Sequence, residues 1–146
     1  MKLEIRPVKN EEEYRQVRRI REKVFIKEQG ISRDCDNDGK DEGATHLIAK
    51  LKKEPIGTVR IRNINNKAKL ERISILKKYR NQGFGEKMVE EAIEYCKKKE
   101  VSEIFIHSLI DQKSFYEKIG FEPVGETFSE AGVEHIKMIL SEDKPK

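Results

Sequence analysis

The sequence predicts an α/β domain of the α+β kind, built on one mixed sheet of about six to seven strands flanked by helices. Three observations predict it. Short alternating or β-branched runs recur along the chain, and only a few stretches carry the three-to-four-residue apolar spacing of helices. The resulting order is β-α-β-β-β-α-β-α-β-β, in which only some connections are helical crossovers, so parallel and antiparallel pairs must mix. No linker, repeat or low-complexity block divides the 146 residues. One domain over residues 1–146 follows, with a core from 2 to 140 and a polar tail at 141–146.

Residues 2–8 alternate polar and apolar side chains and stop at Pro7, as a short edge strand does. Asn10 followed by Glu11, Glu12 and Glu13 is a helix start, with an N-cap and acids at the positive end of the dipole. Tyr14, Val17, Ile20, Val24 and Phe25 then recur at helical spacing down to Gly30. Residues 30–44, with three glycines and a run of acids, form a long loop. Strands are expected at 45–52 and 55–63, around a tight turn near Glu54-Pro55, and at 70–76. From Gly83 to about Lys99, Phe84, Met88, Val89, Ala92, Ile93 and Cys96 share one helical face. Ile104–Ile106 is a short strand, Asp111 can cap a short helix ending at Gly120, and strands at 121–124 and 135–140 close the sheet.

Charged residues make up 40% of the chain and apolar ones 36%, with a net charge of +4. No apolar run exceeds four residues, which excludes a transmembrane helix and a secretory signal. Cys35 and Cys96 offer neither a disulfide framework nor paired zinc ligands. A soluble cytoplasmic protein with no membrane partner is expected. The charge is segregated: residues 34–43 hold five acids and one base, and residues 67–80 six bases and one acid.

The chemistry concentrates at Arg80-Asn81-Gln82-Gly83-Phe84-Gly85, between a strand and a long helix. Two glycines let a ligand approach the backbone, the first helical N–H groups lack partners, and Arg80 adds charge, so the turn suits an anion. A plain helix-start loop looks similar. No Gly-Lys-Ser/Thr follows and the third glycine of a dinucleotide fingerprint is missing, so neither a nucleoside triphosphate nor a dinucleotide is indicated. The basic run beside the turn is either a solvated face or a match for a polyphosphate. Tyr116 is either a core-edge aromatic or a phenol able to give a proton to a leaving group. The acidic stretch Asp34–Gly39 imitates half of a calcium loop, but Thr45 stands where the bidentate Glu belongs; no metal is expected. That loop should face a cationic substrate or solvent. His46, His107 and His135 read singly as structural or exposed side chains.

Taken together, residues 67–121 resemble the acetyl-coenzyme A core of the GNAT acetyltransferase superfamily. The motifs are Leu70-Glu71-Arg72-Ile73-Ser74-Ile75, Arg80-x-x-Gly83-x-Gly85 and Phe115-Tyr116-Glu117-Lys118-Ile119-Gly120-Phe121. Arg21-Glu22-Lys23-Val24-Phe25 with Glu28-Gln29, and His46 opening the next strand, resemble the ElaA-like subgroup. The resemblance implies a sheet that splays between the strands at 70–76 and 103–108. Acetyl-coenzyme A would enter there, its pantetheine along Ile73, Ser74 and Ile75, and its pyrophosphate on Arg80, Asn81, Gln82, Gly83, Phe84, Gly85 and Glu86. The implied reaction moves acetyl from the thioester directly to a primary amine of a small molecule, with Tyr116 as general acid. A similarity of the closing segment to glyphosate N-acetyltransferases implies His135 as base, with Glu28 or water as alternatives. It also implies Arg21 and Arg72 as substrate anchors, and Glu28 is expected beside them on the substrate side. Leu109 replaces an Asn that contacts the coenzyme in many relatives, and also a third substrate arginine. A non-catalytic coenzyme A sensor or a basic nucleic-acid binder is the alternative reading. With only Tyr79 near the basic run to stack on bases, no nucleic-acid partner is expected. C-terminal edge strands leave a homodimer open.

Overall fold

Asn10 begins the first helix as its side chain predicts, accepting the Glu13 N–H at 2.9 Å. The computed structural model describes residues 2–141. Its strands are β1 (Leu3–Pro7), β2 (Thr45–Leu51), β3 (Glu54–Ile64), β4 (Lys67–Ile75), β5 (Glu103–Leu109), β6 (Phe121–Glu130) and β7 (Val133–Leu140). The helices are α1 (Glu11–Arg21), α2 (Arg33–Asp36), α3 (Phe84–Lys98) and α4 (Lys113–Ile119). All seven strands join one open sheet in the order β1-β2-β3-β4-β5-β7-β6. Only β4 and β5 run parallel, because α3 carries the chain between them as a crossover.

The two faces of the sheet differ in kind. Met88, Val89, Ala92 and Cys96 of α3 pack with Tyr116 of α4 over Leu47, Val59, Leu70, Ile106 and Met138. Gly57 permits the close fit, since a Cβ there would stand 2.6 Å from both Ile75 Cδ1 and Met88 Cε and 2.8 Å from the Ser74 carbonyl oxygen. On the opposite face α1 buries Val17 and Ile20, and beside them lies a charged cluster rather than an apolar core. Arg60, fully buried, donates to Asp38 at 2.9 and 2.8 Å and to Asp41 at 2.8 Å, and pairs with Glu71 at 2.6 Å. Arg21, 1% exposed, is held by Asp36 and Asp41. Buried charges persist only when paired and hydrogen-bonded, and each of these is.

Several boundaries differ from the sequence reading. The first helix reaches Glu28, but its last part, Glu22–Glu28, is wound as a π-helix. The loop before β2 contains α2, capped by Ser32 onto the Cys35 N–H at 3.1 Å. Asp111 does not cap α4; it lies in a 3-10 turn, and Gln112 precedes the helix without a capping bond. β4 begins at Lys67, and β6 runs on to Glu130 because its register slips between Val124 and Phe128 and pairing then resumes. Of the polar tail, Ser141 donates its N–H to the Gly120 carbonyl at 3.0 Å, and the remainder lies outside the described residues.

Candidate active site

β4 and β5 pair only from Lys67↔Glu103 to Leu70↔Ile106. Beyond that point β4 carries a bulge. Arg72 has φ +53°, and the register against β3 shifts there. An extra residue bends the strand that holds it. β5 meanwhile stays with β7 as far as Leu109↔His135. A cavity of about 390 Å³ opens where the two strands part. Phe25, Gln29 and Ile31 line it from the end of the first helix, Ile73 and Leu109 from the parted strands, and Tyr116 from α4. The Leu76 N–H donates to Ile56 of β3 at 2.8 Å. Strand alternation therefore turns the backbone groups of Ile75 and Ile73 away from β3, to the side that β5 has left.

Below this gap the chain turns into α3. Gly83 holds φ +85°, a conformation that disfavours any side chain, and stands at the helix N-cap. Among the described residues, the backbone N–H groups of Asn81, Gln82, Gly83, Phe84, Gly85 and Glu86 have no partner. Nothing among the described residues requires glycine at 85, since a Cβ there would meet only ordinary contacts at 3.7 and 3.9 Å. Arg80 donates from Nε to the Ile75 carbonyl at 2.8 Å and from Nη2 to Glu28 at 2.7 Å.

Tyr116 is 7% exposed, and burial pushes its phenol up to about 12. It therefore stays protonated at any neutral pH. His135, half-buried on β7, has Nδ1 2.8 Å from the Val133 carbonyl oxygen. A carbonyl only accepts, so Nδ1 carries the hydrogen, and Nε2 is the nitrogen left to exchange a proton. His107 and Glu130, joined at 2.9 Å, line the same cavity. Phe128 lies between the two imidazoles, edge-on to His107 at 4.9 Å and stacked on His135 at 6.0 Å.

The structure brings together Ile73, Tyr116, His135 and Arg72 around the cavity, with residues 80–86 at the turn below. It does not bring Arg21 there. All five of its N–H groups are taken by Asp36 and Asp41, so it cannot anchor a substrate. Glu28 is likewise not at the cavity but in the Arg80 pair, whose hydrogen bond holds its carboxyl below the usual range. That makes it a poor base. Arg72 donates from Nη2 to the Cys35 carbonyl at 2.8 Å and to Asp38 at 3.2 Å, and keeps Nη1 without a partner among the described residues.

The acidic loop is largely exposed, with Asp34 and Glu42 in solvent, and it reaches the cavity at Cys35 and Asp36. Asp36, Asp38 and Asp41 are turned inward onto Arg21, Arg60 and Arg72. The basic run is also largely neutralised: Lys69 pairs with Glu71, Arg72 with Asp36, Arg80 with Glu28, and Lys67 approaches Glu103 at 4.0 Å. Lys77 and Lys78 remain exposed beside the turn. Sequence reasoning missed the His107–Glu130 pair. The one available signal was a histidine in the middle of an apolar strand, while its partner sits 23 residues away across a register only the fold sets.

A split mixed sheet with an anion-suited turn after the parting strand is the arrangement that the resemblance to coenzyme A-dependent acetyltransferases implied. The sequence-family profile described as "Acetyltransferase (GNAT) domain" matches residues 8–142. The chain belongs to the GNAT acetyltransferase family. YyaT, an uncharacterized protein of Bacillus subtilis, is 33% identical over 139 residues, covering 93% of this chain and 94% of its own. Two solved structures share the fold. An acyl-CoA N-acyltransferase from Pseudomonas aeruginosa has a TM-score of 0.86 at 20% identity, covering 96% of this chain and all of its own. Escherichia coli ElaA has 0.83 at 20% identity, with the same coverage of this chain and 100% of its own. Among the described residues no helix is long and apolar enough to cross a membrane, and no His, Cys, Asp or Glu cluster could hold a metal.

Proposed function

We propose that this protein transfers an acetyl group from acetyl-coenzyme A directly to a primary amine of a small molecule. The observation that carries the reading is the run of six partnerless backbone N–H groups, at residues 81–86, directly below the parting of β4 and β5. Such a run at a helix start suits a pyrophosphate. The bare Cα of Gly85, which no contact among the described residues explains, suits a ligand lying against it. The co-substrate would supply the activated acetyl thioester.

Each remaining task falls to a residue of this chain. The backbone of Ile73–Ile75 would pair with the pantetheine arm, and the Ile75 N–H would donate to the acetyl carbonyl oxygen as negative charge grows there. Tyr116, kept protonated by burial, would give its phenolic proton to the departing thiolate. His135, its Nδ1 engaged by the Val133 carbonyl, would take a proton from the amine at Nε2. Arg72 Nη1 is the donor left to orient the acceptor. The non-catalytic nucleic-acid alternative has little support, because most of the basic run is paired within the protein.

Acetyl-coenzyme A at a hundred times its Kd should raise the melting temperature by roughly 5–10 °C. A panel of primary amines, followed by release of free coenzyme A thiol, should then identify acceptors. No thermal shift at millimolar acetyl-coenzyme A would sink the proposal.

A further inference from the structure

An amine enters a neutral-pH site as ammonium, and making an amide removes two protons from its nitrogen. One replaces the proton that ends on sulfur, and the other must leave to solvent. His135 accounts for one of them. We propose that His107, held by Glu130, is a second base of the same cavity, taking the ammonium proton before attack; this rests on the acetyl-transfer reading above.

Three observations lead there. First, Nδ1 of His107 is 2.9 Å from Oε1 of Glu130. The hydrogen bond from His107 holds the Glu130 carboxyl below its usual range, so the partner is a carboxylate that can only accept. Nδ1 therefore donates, and Nε2, with no partner among the described residues, is the nitrogen left to exchange a proton. Second, the ring is fixed in direction, edge-on to Phe128 at 4.9 Å and tilted against Phe105 at 5.8 Å. Third, the pair leads outward: the His107 side chain is 26% exposed and that of Glu130 42%.

The surrounding charges do not dissolve the pair. Lys69 and Glu71 of β4 bind each other at 2.9 Å, Lys137 of β7 is drawn to Glu103 at 3.8 Å and the Phe105 ring at 4.8 Å, and His135 bonds Val133. Glu130 thus has His107 as its partner, in the arrangement by which a carboxylate orients a catalytic imidazole and offsets its charge once protonated.

The step balances. An N–H bond of the ammonium breaks, its electron pair stays on nitrogen as the nucleophilic lone pair, and a bond forms from the proton to Nε2. The imidazolium later gives that proton from Nε2 to water, which reaches the part-exposed ring, and returns to the tautomer with Nδ1 bonded to Glu130. After attack, the second N–H proton passes to His135.

Two acceptors separate the roles: phenethylamine, an ammonium at neutral pH, and aniline, already neutral. For His107→Asn and Glu130→Gln, kcat/KM for phenethylamine should fall about tenfold or more relative to aniline, with acetyl-coenzyme A affinity unchanged. Glu130→Asp should restore part of the loss. His135→Ala should impair both acceptors alike. Equal loss on both acceptors in the His107 variant, or no loss on either, overturns this proposal while leaving the acetyl-transfer reading intact. An unmodified protein that acetylates no amine overturns both.

Discussion

Glu28 and Arg80, 52 residues apart in sequence, meet at 2.7 Å between Oε1 and Nη2, and a second bond joins Nη1 to the other carboxylate oxygen. The same guanidinium donates from Nε to the Ile75 carbonyl at 2.8 Å. One side chain therefore ties the end of the first helix, the end of β4 and the turn before α3. It also means that the charge expected to attract an anion is already balanced by a carboxylate.

Glu28→Gln keeps the shape and removes that balance. Affinity for coenzyme A should rise about two- to fivefold at low ionic strength, and the gain should fade in high salt. Calorimetric titration at two salt concentrations checks it. Weaker binding at both would mean that Glu28 chiefly positions the turn.

Tyr116→Phe keeps the ring packed against Phe115 at 5.0 Å and Phe121 at 5.9 Å. Turnover should drop about a hundredfold or more while the coenzyme Kd moves less than twofold. A variant with undiminished kcat would remove the phenol from the acid's role.

Stability should depend steeply on acid. Burial by itself would raise Glu71 and Asp41, but Arg62, Lys69 and Arg60 around the first, and Arg60, Tyr14 and Arg21 around the second, hold both at about 2. Their ordinary values are 4.5 and 3.8. Carboxyls depressed on folding stabilise the native state fully above the ordinary value and lose that contribution as pH falls to the folded one. Melting temperature should therefore decline between about pH 4.5 and 2. Arg60→Met should unfold the protein or flatten that decline, because Asp38, Asp41 and Glu71 lose their common partner. An unchanged acid profile in a folded Arg60→Met protein would contradict the account.

Gly57→Ala places a methyl group against Ile75, Met88 and the Ser74 carbonyl. Overpacking at such a site costs about 1–3 kcal/mol, because the Ile75 and Met88 side chains can rotate but the Ser74 carbonyl of β4 must shift. Chemical denaturation should show the loss, and coenzyme affinity should weaken with it because the backbone of Ser74 and Ile75 shifts. Gly85→Ala, which meets only ordinary contacts, should leave stability within about 1 kcal/mol and weaken coenzyme affinity far more.

Local chemistry by itself determined much of this protein. Asn10 and its three glutamates start a helix anywhere, the apolar face from Phe84 to Cys96 demands a sheet to cover it, and Gly83 marks a turn that frees the following N–H groups. These features depend on neighbours within a turn of chain, so order, fold class and the anion-suited turn were legible. Tertiary structure alone decided the rest. Whether a charge is free depends on what folds against it, and Arg21, looking like a substrate anchor, is sealed by Asp36 and Asp41 from a loop 15 to 20 residues on. The same holds for the net charge of the basic run, most of which is cancelled by acids distant in sequence. His107 gains its partner only because the register of β6 slips and brings the end of that strand beside the cavity. Pairing energy falls off within a few ångströms, and which groups come that close is set by register and packing rather than by any local stretch of residues.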